Sequence, residues 1–131
     1  MVKAMIKMKR AYDPPVAEDG ERILVDRLWP RGVTKESARL SSWIKDLGPT
    51  TELRKWFGHD PSRWEEFRKR YEVELLQPEK RAVLSDIAER SRRGIVTLVF
   101  AAKDETRNNA VVLKDLIGRG VRKAAQGPAP P

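Results

Sequence analysis

The chain has 131 residues, no cysteine, 27 basic and 19 acidic side chains, and a formal net charge of +8. This length fits one domain with a sizeable core, and the absence of cysteine excludes disulfides, thiolate metal sites and cysteine nucleophiles. The sequence contains neither an apolar signal segment nor an apolar run long enough to span a membrane, so we expect a cytoplasmic protein without membrane contact.

Most of the excess positive charge lies at the two ends of the chain. Residues 1–10 and 118–131 together hold seven basic side chains and no acidic one, which leaves 20 basic against 19 acidic side chains in residues 11–117. A nearly neutral body argues against a wide phosphate-tracking surface and leaves room for a local anion site. We therefore expect one α/β domain over residues 1–117 and a disordered, basic, proline-rich tail over residues 118–131.

Three segments are predicted to be strands, at about residues 3–10, 22–28 and 95–101. In the first, Ala4, Ile6 and Met8 alternate with Met5, Lys7 and Lys9, which is the period of a strand with one buried face. The other two are short apolar runs rich in β-branched residues, which is typical of parallel strands covered on both faces. The pattern predicts a small, mainly parallel, three-stranded sheet.

About five helices are predicted around this sheet. The first should open at Thr34 and stop at Gly48-Pro49, because Leu40, Trp43, Ile44 and Leu47 fall on one helical face. Capping residues, prolines and glycines predict the others at about residues 50–57, 60–77, 78–94 and 108–117. We interpret the aromatic side chains of these helices as core rather than as a stacking platform: Trp43, Trp56, Trp64 and Phe67. The whole pattern predicts an α/β fold in a Rossmann-like or flavodoxin-like three-layer arrangement.

Polar side chains follow the second and third predicted strands. The first group is Asp26, Arg27, Trp29 and Arg31, and the second is Lys103, Asp104, Arg107, Asn108 and Asn109. In open parallel sheets, ligands bind beyond the carboxyl ends of the strands, where such groups meet.

These two groups have a functional and a structural interpretation. Arg27 and Arg31 could clamp a phosphate or carboxylate, Trp29 could stack on a ring, and backbone N–H groups near Asn108 could bind an anion. In the alternative, Asp26 pairs with a basic neighbour, Trp29 covers the core and Asn108 only caps a helix. The functional interpretation adds Lys103 and Arg107 as anion-binding residues.

Three side chains are candidates for acid–base or nucleophilic chemistry. Asp26 or Asp104 could act as an acid, a base or a nucleophile. His59, the only histidine, could be a general base, although it precedes a helix start at Asp60-Pro61 and could instead be fixed in a helix–helix corner. No metal site is expected, because the carboxylates lack ligand spacing. No cofactor is expected either, because a glycine-rich dinucleotide motif is absent.

Three segments carry a resemblance to a known family: residues 22–32 (RILVDRLWPRG), 52–61 (ELRKWFGHDP) and 98–104 (LVFAAKD). At these spacings the chain resembles the YeaO-like family, catalogued as domain of unknown function 488 (DUF488), over roughly residues 6–117. The resemblance implies a compact α/β fold with a small parallel sheet and no settled activity. Family members often have histidine just before the asparagine of the last motif, where this chain has Arg107, so a mechanism that needs an imidazole there is not expected.

The leading functional hypothesis is an enzyme, a hydrolase or group transferase, acting on a nucleotide, a nucleobase-containing compound or another phosphorylated anion. The alternative is a noncatalytic nucleic-acid-binding or regulatory module that uses the same basic pocket and the basic tail. A third hypothesis, a structural partner protein, would need an exposed apolar face. We expect a small anionic ligand, with nucleic acid as the other candidate partner, and a monomer or homodimer.

Overall fold

Four parallel strands form the centre of the computed structural model, which describes residues 5–119. The strands are β1 (Ile6–Arg10), β2 (Glu21–Leu24), β3 (Ser42–Trp43) and β4 (Val96–Phe100). The helices are α1 (Lys35–Ala38), α2 (Thr51–Phe57), α3 (Trp64–Leu75), α4 (Pro78–Arg93) and α5 (Asn109–Arg119). The strand order is β1-β4-β2-β3, so the predicted parallel α/β fold is confirmed, with four strands rather than three.

The most apolar strand, β4, lies between β1 and β2. Its five residues are all buried, and its register pairs Leu98 with Met8 on one side and with Ile23 on the other. Alternate residues therefore face opposite sides of the sheet. Because β2 and β4 are parallel neighbours, their carboxyl ends emerge side by side at one edge of the sheet.

The four longer helices pack into one core against one face of the sheet. This core contains Ile23 and Leu98 from the strands, and Trp64, Phe67 and Tyr71 from α3. Helices α2, α4 and α5 add their own buried apolar residues to the same cluster. Trp64 and Phe67 are thus core residues, as expected from their helical spacing. A smaller cluster on the opposite face contains Leu24 and Val99, with Trp29, Leu40 and Trp43 packed against it.

The helix predicted between Thr34 and Gly48 is wrong over most of its length. Helix α1 ends after four residues because Arg39 has a left-handed backbone, with φ of 46°. The chain then runs along the open edge of β2, where Ser41 N–H donates to Arg22 O (2.7 Å) and Ile44 N–H donates to Leu24 O (3.0 Å). Strand β3 and a 3-10 turn, Lys45–Leu47, occupy the rest of the segment that was predicted to be helical. Pairing with an unsatisfied strand edge has replaced the helix that the local spacing favours.

A buried ion pair lies on the face of the sheet that carries the smaller apolar cluster. Asp19 and Arg22, which are 4 % and 3 % exposed, join through an Oδ2–Nη1 contact of 2.7 Å. Lys9 Nζ lies 3.2 Å from the same carboxylate, and Thr97 Oγ1 donates to the Asp19 carbonyl (2.6 Å). The pKa of Asp19 lies below its usual value: burial raises it, but hydrogen bonds from Val16 N–H, Lys9 and Arg22 outweigh burial.

Two predicted boundaries shift. Strand β2 ends at Leu24 rather than near residue 28, and α5 continues to Arg119, so residues 118–119 are helical rather than part of a tail. Residues 1–4 and the remaining tail, 120–131, lie outside the described residues. Within residues 5–119, no helix is long and apolar enough to cross a membrane.

Candidate functional site

The loops after β2 and β4 meet at the carboxyl edge of the sheet. Asp26, two residues beyond β2, accepts a hydrogen bond through Oδ2 from the N–H of Ala101, the residue after β4 (2.9 Å). From the first turn of α5, Asn109 Nδ2 donates to Val25 O (3.0 Å). The two segments that were expected to lie together are thus in direct contact.

A cavity of about 590 Å³ opens between these loops and α2. All the predicted site residues except Arg107 line it: Asp26, Arg27, Trp29, Arg31, His59, Lys103, Asp104 and Asn108. This volume lies within the usual range for pockets that hold small organic ligands.

Aromatic side chains form much of the apolar wall of this cavity. Phe57 and Phe67 stack with ring centroids 4.3 Å apart, and both line the cavity. Trp29 packs edge to face on Trp43 at 5.3 Å and donates its indole N–H to Val33 O (2.6 Å). Trp29 therefore covers the smaller core cluster and also borders the cavity.

Asp26 is the carboxylate at the base of the cavity. Burial raises its pKa above the usual value, and the hydrogen bonds from Ala101 N–H and the Asn109 amide oppose that rise only in part. The electrostatic effect of His59 on Asp26 acts in the same lowering direction. Asp26 therefore takes up a proton at a higher pH than an ordinary aspartate does.

Tyr71 lies beneath Asp26 and is fully buried. Its hydroxyl donates to the Leu47 carbonyl. Burial, followed by the nearby negative charges of Asp26 and Glu74, raises the pKa of Tyr71 well above its usual value. Tyr71 is thus a neutral structural support under the cavity and has no role as a base.

Arg27 is held in the wall by the protein itself. Its Nε donates to Pro49 O (2.9 Å) and one terminal nitrogen donates to Gly48 O (3.0 Å). Gly48 approaches so closely that a Cβ there would lie 2.6 Å from Arg27 N. The guanidinium that was predicted to clamp a ligand is therefore occupied by backbone carbonyls, although its positive charge still borders the cavity.

Three other cations line the cavity: Arg31, Lys103 and Arg54. The side chains of Arg31 and Lys103 are exposed and form no hydrogen bond or ion pair among residues 5–119. Arg54, on α2, has its Nε enclosed and without a hydrogen-bond partner in the same part of the chain.

Sequence reasoning missed Arg54. Its position next to Leu53 and three residues before Phe57 was the available signal, because such spacing puts a side chain at the border of the buried helix face.

Asp104, Arg107 and Asn108 are used by their own loop. Asp104 Oδ1 accepts from Thr106 N–H (2.9 Å) and Arg107 N–H (3.1 Å), and these bonds, those of Thr106 first, lower the pKa of Asp104. The guanidinium of Arg107 pairs with the same carboxylate (3.4 Å). Asn108 is 3 % exposed and caps α5 by accepting from Val111 N–H (3.1 Å). Asn108 thus caps α5 and also lines the cavity.

His59 lies in the corner between α2 and the next helical turn. Gly58 and His59 both have left-handed backbones, with φ of 53° and 57°. His59 is exposed, and its ring centroid is 6.0 Å from that of Phe57. Asp60, the next residue, accepts from Ser62 N–H (3.0 Å) as a helix cap. The corner turns the imidazole toward the cavity mouth.

The charge of the lining is positive. Arg27, Arg31, Arg54 and Lys103 face Asp26 and Asp104, so four cations oppose two carboxylates even with neutral histidine. Within residues 5–119, no three histidine or carboxylate side chains converge as a metal site would require. The arrangement can hold an organic anion between cationic and aromatic groups.

The fold and the site together define a class of protein: a parallel α/β domain with a basic, partly aromatic cavity at the carboxyl edge of its sheet. The family described as the inactive DUF488-N3 subclade matches residues 5–131. The uncharacterised protein YeaO of Escherichia coli is 46% identical over 111 residues, covering 84% of this chain and 94% of that protein. The uncharacterised protein Rv3073c of Mycobacterium tuberculosis is 38% identical over 112 residues, covering 86% and 92%. No solved structure matches.

The chain therefore belongs to the DUF488 family, within the subclade described as inactive, and the resemblance found in its three motifs is confirmed.

Proposed function

We propose that this protein is a noncatalytic binding module that holds a small organic anion in the cavity between β2, β4 and α2. The observation that carries the proposal is the convergence of three cations, Arg31, Arg54 and Lys103, on a cavity with an aromatic wall. Their side chains have no hydrogen-bond or ion-pair partner within residues 5–119. The ligand class is an anion with a flat ring, such as a nucleotide or another phosphorylated or carboxylated aromatic compound.

The candidate catalytic groups support binding rather than chemistry. The Asp104 carboxylate accepts several hydrogen bonds within its own loop, so it is a poor nucleophile. One oxygen of Asp26 is bound to Ala101 N–H, and Tyr71 is locked beneath it. The description of the subclade as inactive agrees with this assignment.

A thermal-shift experiment tests the proposal. The probes are adenosine monophosphate, phenyl phosphate, benzoate and neutral adenosine, measured on wild type and on Arg31→Ala/Lys103→Ala. The matched control is Lys35→Ala/Lys69→Ala, which removes the same charge from exposed positions outside the cavity. A ligand at one hundred times its Kd stabilises the folded state by about 2.7 kcal/mol.

We expect at least one anion to raise the melting temperature of wild type and of the control, and to raise that of the cavity variant less. The proposal is wrong if no anion in this set shifts wild type. It is also wrong if the control variant loses as much as the cavity variant.

An enzyme is the second candidate, because burial raises the pKa of Asp26, as a general acid in the cavity would require. It would be a hydrolase or group transferase for a nucleotide or a related phosphorylated anion, with Asp26 as acid and His59 as the available base. Wild type and Asp26→Asn would each be incubated with the anion that binds, and phosphorus or proton NMR would follow the ligand. Turnover by wild type alone supports the enzyme, whereas an unchanged ligand supports the binding module.

A further inference from the structure

Arg54 differs from the other cations of the cavity in how its guanidinium is placed. It lies in the middle of α2, whose buried residues are Leu53 and Phe57, and it lines the cavity. Its Nε has almost no exposed surface and no hydrogen-bond partner among residues 5–119. A buried donor without an acceptor is unfavourable, because it has lost its water and gained nothing in return.

Arg27 lines the same cavity, but its guanidinium is hydrogen-bonded within the protein. Two of its nitrogens donate to the carbonyls of Pro49 and Gly48. No such acceptor is supplied to Arg54 Nε, although both arginines border the same space. The contrast points to an acceptor that comes from outside the chain.

Apart from Arg27, which the backbone carbonyls of Pro49 and Gly48 hold, the cations of the cavity differ in exposure. Arg31 and Lys103 are exposed, whereas Arg54 is partly buried beside Phe57, which stacks on Phe67 at 4.3 Å. A terminal phosphate or carboxylate is compact and can pass the exposed pair to reach a partly buried guanidinium. A phosphodiester inside a polynucleotide continues in both directions and stays with the exposed pair.

We infer that Arg54 is the inner anion-binding residue of this cavity and that its ligand carries a terminal phosphate monoester or carboxylate on a flat aromatic body. This inference rests on the proposed binding function. Arginine suits the role because its planar fork donates two parallel hydrogen bonds to either group. The ring then lies against the Phe57–Phe67 wall, and Arg31 and Lys103 add long-range attraction at the mouth.

Titration calorimetry tests the inference with wild type, Arg54→Met, Arg54→Lys and the control Lys55→Met. Lys55 is the next residue on α2, is exposed and does not line the cavity. The probes are adenosine monophosphate, benzoate, neutral adenosine and adenylyl-adenosine, whose only phosphate is a diester. Circular dichroism melting curves establish that each variant is folded.

We expect Arg54→Met to weaken the binding of the terminal anion at least tenfold while leaving the affinity for neutral adenosine unchanged. Arg54→Lys should restore part of the loss, and Lys55→Met should bind as wild type does. Preference for adenosine monophosphate or for benzoate then tells a phosphate ligand from a carboxylate.

The inference is overturned if Arg54→Met binds the terminal anion as tightly as wild type, or if the diester binds as tightly as the monoester. Equal losses for adenosine and its monophosphate would also overturn it, because Arg54 would then only shape the cavity. Each of these results leaves the binding function intact. Failure of every probe to bind wild type would instead remove the binding function itself, and this inference with it.

Discussion

Replacing Arg54 with methionine should stabilise the unliganded protein. Methionine keeps an apolar stem at this partly buried position of α2 and removes the Nε donor, which has no partner among residues 5–119. An unsatisfied buried donor costs about 1–3 kcal/mol, and the lower end applies because the guanidinium is only partly buried. We expect the free energy of unfolding to rise by about 1 kcal/mol, which for a domain of this size corresponds to about 3–5 °C in melting temperature.

Urea denaturation followed by tryptophan fluorescence measures this change, with Lys55→Met as the control for an added exposed methionine. Equal slopes of the unfolding free energy against urea concentration would show that the unfolded states are comparable. A loss of more than about 1 kcal/mol in Arg54→Met relative to the control would refute the reasoning. The guanidinium would then stabilise the fold, and the missing acceptor would have no bearing on a ligand.

Three further perturbations have defined outcomes. Because burial raises the pKa of Asp26, its protonation should favour anion binding in wild type as pH falls through that raised pKa, and Asp26→Asn should bind more tightly at neutral pH and lack this contribution to the pH profile. Titration calorimetry across the acidic range measures this, and parallel profiles would contradict it.

The lowered pKa of Asp19 means that its stabilisation is present above the usual value of 3.8 and is lost as pH falls through the folded value. In urea unfolding, Asp19→Asn or Arg22→Met alone should lower the free energy of unfolding by about 3–5 kcal/mol. The double variant should lose less than the sum of the two single losses. Additive losses would exclude the pairing. Gly48→Ala places a Cβ 2.6 Å from Arg27 N. We therefore expect the variant to lose about 1–3 kcal/mol of unfolding free energy and to bind the anion more weakly. A melting curve like that of wild type would show that the backbone can accommodate this Cβ.

Most of the fold could be predicted because its signals are local. The alternation in β1, the apolar run of β4 and the capping sequence Asp60-Pro61 all act within a few residues of the element they define. Strand β3 could not be predicted in this way. Leu40, Trp43, Ile44 and Leu47 satisfy helical spacing, and only the open edge of β2, distant in sequence, makes an extended segment the better solution.

The position of the candidate site could also be predicted, but the hydrogen-bond partners of its arginine side chains could not. The rule that ligands bind beyond parallel strands located the loops that hold Asp26 and Lys103. No local pattern could show that Arg27 donates to the carbonyls of Gly48 and Pro49, about twenty residues away. The same limit hid Arg54, because an unpaired donor is recognised only when every neighbouring acceptor is in place.

The peptide of Ala101, just past the end of β4, is fixed from both neighbouring strands. Arg10, at the end of β1, donates to the carbonyls of Ala101 (3.2 Å) and Ala102 (2.9 Å), and Asp26, beyond β2, accepts from the Ala101 N–H (2.9 Å). In dynamic terms, this loop opens only when the sheet opens, so the Ala101 amide should exchange its hydrogen as slowly as the amides of β4.

The base of the cavity is therefore rigid before any ligand arrives. For the anion proposed above, we expect exposed side chains such as Arg31 to rotate on the picosecond-to-nanosecond scale during entry, while the backbone at the base of the cavity stays in place.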